Sequence, residues 1–393
     1  MLLIASVTTE PTVCANELFA TERELLADAA DGSLDEFSLL EGSLIASGVT
    51  DRDQLEQFTS AFATRIAAKR PACSGGVSAT ASPEQIYNLL HEEFLTGQYY
   101  STCTEVNRAL DDGDYNCVTA TVLFHCVGES FGLTPVAVAT STHVRSRLVA
   151  DKPFDVETTC RDWFQVVRRD PNTQIFRSEQ QVTRQLTNVE LLAKIYYNRG
   201  VSLLENKAFA DAIALLKTSQ LLDPVDAPTR ENIAAGMNNW ALAECDANNF
   251  AHAVELVQEG LSKYPEFAPL LANDVHIHQR WAVALCEEHR YSEAMQALHA
   301  AHLRRADVAL FDRGRTAVLA QWATALFEKG ELETASKLFT AANGWFDELS
   351  EISRCRSIAV QEAAASLARR GRTDEANRLV RWGGELDSAT TQF

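Results

Sequence analysis

The chain has 393 residues, 46% of them apolar, and carries 54 acidic against 35 basic side chains for a net charge of −19. That length exceeds one ordinary domain, and that apolar content excludes a disordered chain. The charge repels phosphate backbones and anionic membranes, so neither nucleic acid nor a lipid surface is an expected partner.

In chain order, the opening "MLLIASVTTEP" lacks a basic leader and runs into Glu10 and Pro11, which makes a poor signal peptide. No run approaches transmembrane length. The nine cysteines are scattered, odd in number and without a Cys-x-x-Cys pair. They fit a reducing compartment rather than a disulfide framework, so a cytoplasmic location is expected. Residues 17–70 predict helices, with apolar residues three and four apart in "SLLEGSLIASGVT" and "QLEQFTSAFATRIAAKR". The composition of "PACSGGVSATASP" (71–83) predicts a loop, and Ser82 with Pro83 starts a helix running to near Thr96.

The next stretch, "DYNCVTATVLFHCVGESFGL" (114–133), delivers Cys117 to the start of an apolar, helix-length run that Gly132 and Pro135 end. A thiol in a first helical turn sits at the positive end of the helix dipole, which favours thiolate. Core filling and nucleophile are the two readings of this cysteine. "VAVATST" (136–142) predicts a strand, and "HVRSRLV" alternates, with His143, Arg145 and Arg147 on one face and Val144, Ser146 and Leu148 on the other. "ADKP" predicts a turn and "FDVETT" a returning strand with Asp155 and Glu157 on one face. A thiol nucleophile needs a base, and the base needs an acceptor that holds its tautomer. Cys117, His143 and a carboxylate stand in an order that a helix packed on a hairpin can unite. A hairpin turning near 150–152 brings Glu157 nearer to His143 than Asp155, and both remain candidates for the acid.

This segment, residues 82–165, resembles the transglutaminase-like superfamily, whose bacterial members are mostly papain-like cysteine hydrolases. The matching pieces are "NCVTATVLFHCVGESFGL" for the nucleophile helix, "THVRSRL" for the histidine strand and "VETT" for the acid motif. The resemblance implies Cys117 as nucleophile, His143 as base and Glu157 as orienting acid, with Asp155 the competitor. The short gap from cysteine to histidine and the absent aromatic after His143 point to a trimmed domain.

The second half carries a repeat. Ala212, Ala253, Ala294, Ala335 and Ala376 are 41 residues apart. So are Arg199, Trp240, Trp281, Trp322 and Ala363, and so are Phe209, Phe250, Tyr291, Leu332 and Thr373. Each unit reads as two amphipathic helices joined by a tight turn, which is the signature of a helical solenoid. The pattern resembles the tetratricopeptide repeat: Tyr196, Gly200, Leu203, Ala212, Leu216 and Pro224 fall on that family's spacing. The resemblance implies a concave surface that binds a protein or peptide.

The expected architecture is therefore a helical region (1–81), an α+β transglutaminase-like domain of helices and a small antiparallel sheet (82–165), a linker (166–189) and an all-α solenoid of five repeats (190–393). His125 and Cys126 fall mid-helix and read as packing. Cys103 and Cys160 lack zinc-ligand spacing. His276 with His278, and His299 with His302, read as solvated solenoid faces. No metal or cofactor is expected, because no P-loop, dinucleotide fingerprint or zinc-protease helix motif occurs. Two functions fit: a cysteine hydrolase or acyl-transferase on amide substrates with repeats for protein binding, and an inactive scaffold that works as an adaptor.

Overall fold

The computed structural model describes residues 19–73, 81–140, 142–149, 153–172 and 184–390. The expectation for the opening segment lies outside these residues, as do those for the "ADKP" turn and most of the 71–83 loop. The chain divides into two compact units, Met1–Gly236 and Met237–Phe393.

The first unit opens with α1 (Ala20–Asp28), α2 (Leu39–Ala46), α3 (Arg52–Cys73) and α4 (Pro83–Glu93). Two of these starts are written in the sequence as reciprocal capping boxes, Ser38 with Glu41 and Ser82 with Gln85. A short α5 (Val106–Asp111) precedes α6 (Cys117–Ser130). Every residue of α6 from Val118 to Gly128 is buried, as befits a helix that is apolar all round. It packs against α2, α4, α5 and the sheet. Gly132, at φ +78°, supplies the left-handed residue that lets the chain leave the helix.

The sheet is antiparallel, with order β3-β2-β1-β4, and comprises β1 (Val136–Ala139), β2 (Val144–Leu148), β3 (Phe154–Val156) and β4 (Arg184–Leu186). Nothing in the residue pattern marks β4, a three-residue edge strand with no alternation to read. It lies with α7 (Trp163–Arg169) where a linker was expected.

The helical stack begins within the first unit, with α8 (Asn188–Glu205) and α9 (Phe209–Leu222). Leu191, Leu192, Ile195 and Tyr196 of α8 belong to the same core as α6. The Tyr196 hydroxyl donates to Glu22 at 3.0 Å and Arg199 donates to the Ala46 carbonyl at 2.6 Å. At Gly200 a Cβ would stand 2.7 Å from Leu216, so glycine permits the close approach of α9. The boundary between units falls inside α10 (Ala227–Asp246).

The second unit continues with α11 (Phe250–Lys263), α12 (Ala268–Glu287), α13 (Tyr291–Arg304), α14 (Ala309–Lys329), α15 (Leu332–Ala341), α16 (Leu349–Arg369) and α17 (Thr373–Thr390). Throughout the stack the ladder alanines, Ala212, Ala253, Ala294, Ala335 and Ala376, are all buried. Trp240, Trp281 and Trp322 are half-buried against the cores of the second unit. The stack has a further ladder that residue types hide. Lys207, Asn248, His289, Gly330 and Gly371 all have positive φ, between +58° and +81°, and all stand 41 residues apart. Each ends the first helix of a pair, and the next N–H reaches back five residues: Ala208 to Leu203, Asn249 to Glu244, Arg290 to Leu285, Glu331 to Leu326 and Arg372 to Leu367, at 2.8–2.9 Å. This is the Schellman closure that satisfies the last carbonyls of a helix.

Of the histidines read as solvated faces, His276 is exposed, His299 and His302 are half-buried and His278 is buried. His278 is 1% exposed, with Nδ1 donating to the Asp274 carbonyl at 2.7 Å and Nε2 facing Arg304 at 3.1 Å. His302 pairs with Asp312 at 2.8 Å and His299 meets Arg315 at 3.1 Å. The error arose because period 41 shows which positions recur but not how deep each lies. Among the described residues no group of three His, Cys, Asp or Glu could hold a metal ion, and no helix is long and apolar enough to cross a membrane.

Candidate active site

Cys117 is the first residue of α6, and Asn116 is its cap. The Asn116 side-chain oxygen accepts from the Val118 and Thr119 N–H groups, both at 2.9 Å. These bonds leave the Cys117 N–H as a spare donor beside its own half-buried thiol, at the positive end of the helix.

His143 ends the turn between β1 and β2. Its N–H donates to Thr140 Oγ1 at 3.0 Å, and its carbonyl accepts from the Thr140 N–H at 2.8 Å. The ring is held by Glu157: Nε2 lies 2.9 Å from Oε1 and 3.0 Å from Oε2. Glu157 thus takes Nε2, which leaves Nδ1 as the other ring nitrogen, and Cys117 is close enough to favour the imidazolium. Burial works against the imidazolium, but the hydrogen bonds and negative charges of Cys117 and Glu157 outweigh it and raise His143 to about 9. Burial pushes the Glu157 carboxyl up, yet His143 and Thr159 more than offset this and hold it below its ordinary value. Thr159 Oγ1 donates to Glu157 Oε1 at 2.6 Å, and the Tyr87 hydroxyl donates to the Glu157 carbonyl at 2.8 Å.

Asp155, the competing acid, is elsewhere. The register pairs Arg147 with Asp155 and Ser146 with Val156, so Glu157 is carried one step closer to His143. Asp155 accepts from Arg145 Nε at 3.0 Å and from Arg147 Nη2 at 3.0 Å. Its carbonyl accepts from the Trp163 indole at 2.9 Å. All five charged residues share one face of the hairpin, as the alternation predicts, but they form two separate groups.

On the other sheet face, His125 Nε2 meets Ser146 Oγ at 3.2 Å, and burial lowers this histidine to about 4. Cys126 is buried, and burial raises its thiol well above the ordinary value. Cys103 is buried and Cys160 half-buried, and both are free thiols, as are Cys117, Cys126, Cys245, Cys286 and Cys355.

Sequence reasoning missed part of the surroundings. Cys117 and His143 open into a cavity of about 580 Å³ whose facing side is formed by Lys194, Tyr197 and Asn198 of α8 and by residues 225–228. Tyr99 also stands near the thiol. Burial and the charges of Cys117 and Glu157 raise its phenol. No sequence signal links these residues to Cys117, because they lie on elements brought over only by tertiary packing.

No family model matches this chain, and neither does any curated protein. Among solved structures, a mutant of MamA is similar at 18% identity over 50% of this chain and 92% of that one, with a TM-score of 0.18.

Proposed function

We propose that this protein is a transglutaminase-like cysteine hydrolase or acyl-transferase acting on amide bonds, with a tetratricopeptide-type stack that recruits a protein or peptide. The observation that carries the reading is His143, held by both oxygens of the buried Glu157 and lining the same cavity as Cys117. In this reading the Cys117 thiolate attacks the substrate carbonyl carbon while the Cys117 N–H donates to the developing oxyanion. The tetrahedral species collapses as His143 gives its proton to the amine, the C–N bond breaks and a thioester remains. Water or a second amine then attacks, with His143 taking its proton and returning it to sulfur. Glu157 stabilises the imidazolium and fixes the ring.

Iodoacetamide at pH 6, followed by peptide mapping, tests the site. Cys117 is expected to alkylate far faster than every other cysteine, and His143→Ala to slow it at least about tenfold. Equal, slow alkylation of all cysteines in the folded protein would overturn catalysis and leave the adaptor function.

A further inference from the structure

We propose that the first helix pair completes the thiol cleft as a subsite for an uncharged, aliphatic side chain of the substrate. This deepens the reading of Cys117 as nucleophile and rests on it. The wall facing Cys117 and His143 comes from α8 and residues 225–228, and α8 is fixed in the core of the unit through Tyr196 and Arg199. It is a permanent wall of the cleft.

Its chemistry is selective. The ions in the wall are consumed among themselves: Lys194 pairs with Asp226 at 2.7 Å, and Arg184 with Glu190 at 2.6 Å and with Asp223. Asp226 Oδ2 also accepts from Thr229 Oγ1 at 2.6 Å. A charged substrate group entering here would lose water and find its counter-ions already engaged, which is costly. Apart from Thr140, Thr142 and Asn198, the remaining lining is largely apolar: Val118 and Val144 from the thiol helix and β2, and Tyr197, Val225 and Pro228 from the helix pair. Val225 is 68% exposed, and an aliphatic group in the cleft would cover it. The Asn198 side-chain amide, which makes no hydrogen bond among the described residues, offers one donor and one acceptor to a peptide backbone. A mostly apolar cavity with a few convergent polar groups is the usual form of a small-ligand site.

The test uses N-iodoacetyl amides of leucine, glutamate and lysine, each rate at Cys117 divided by that of iodoacetamide with the same protein. The leucine probe is expected to lead the two charged probes by at least about tenfold. Val225→Asp, on an exposed loop, is expected to cut that lead several-fold. Equal normalised rates for the three side chains, or an undiminished lead in Val225→Asp, would overturn the subsite while leaving the nucleophile intact. If iodoacetamide does not single out Cys117, the catalytic reading fails separately. The subsite is then decided on Cys117→Ser by NMR titration with N-acetyl-leucinamide. Shifts centred on Val225 and Tyr197 support it, and their absence, or equal shifts with N-acetyl-glutamate amide, overturns it.

Discussion

On the β2–β3 hairpin two carboxylates two residues apart serve different partners, whereas at the turns of the helix pairs five residues of four types serve one backbone purpose. Asp155 lies between Arg145 and Arg147 while Glu157 holds His143. Lys207, Asn248, His289, Gly330 and Gly371 all close a helix in the left-handed conformation. In the hairpin, register selects the partner and side-chain chemistry then fixes the consequence. In the stack, the period selects the conformation and side-chain chemistry matters only through its strain.

The comparison is broken most severely at Asp155. Arg145 is fully buried, so Asp155→Asn, which removes the charge that both arginines share, should cost roughly 3–5 kcal/mol of stability in urea unfolding. If Asp155→Asn proves neutral in stability but slows Cys117 alkylation, the division of labour between the two carboxylates is wrong.

The second prediction concerns pH. His143 is raised from 6.5 to about 9, so its contribution is complete below pH 6.5 and is lost as pH rises through 9. The size is on the order of 2–3 kcal/mol, counting the shared interaction with Glu157 once. The stability gap between the wild type and His143→Gln should therefore be widest near pH 6 and shrink toward pH 9.5. A constant gap would refute the charged pair.

Glu157→Gln sharpens the comparison further. It removes the charge but keeps the shape, so the His143 ring should titrate nearer its ordinary value of about 6.5 when followed by NMR. Cys117 alkylation at pH 6 should fall several-fold, because the imidazolium is no longer favoured. An unmoved His143 titration would show that Glu157 is only a packing neighbour.

The smallest effects belong to the turns. Gly330→Ala should cost about 1 kcal/mol through its φ of +81° alone, since a Cβ there meets nothing within 4 Å. Lys207→Gly should gain less than that, because relieved strain is partly offset by the entropy of glycine. Thermal unfolding of both variants decides whether conformation, rather than contact, is what the ladder shares.

Much of this was legible because it is local or periodic. Asn116 before Cys117, with Gly132 after the run, marks both ends of α6. The 41-residue alanine ladder marks positions where two helices touch, and alternation on the hairpin puts His143 and Glu157 on one face. Side chains whose depth depends on neighbouring helices were misread, as His278 shows: it sits 1% exposed on a hydrogen bond to its own helix.

What the sequence determined by itself is the set of helix pairs, the start of the thiol helix and the order of cysteine, histidine and carboxylate, because caps and strand alternation act within a few residues and a repeat shows in residue order alone. Tertiary structure alone decided that Asp155 goes to the arginines, that β4 completes the sheet beside β1, and that α8 walls the cavity at Cys117. Those outcomes depend on strand register and on contacts between separate elements, where each partner is chosen by the burial and charge of everything packed around it.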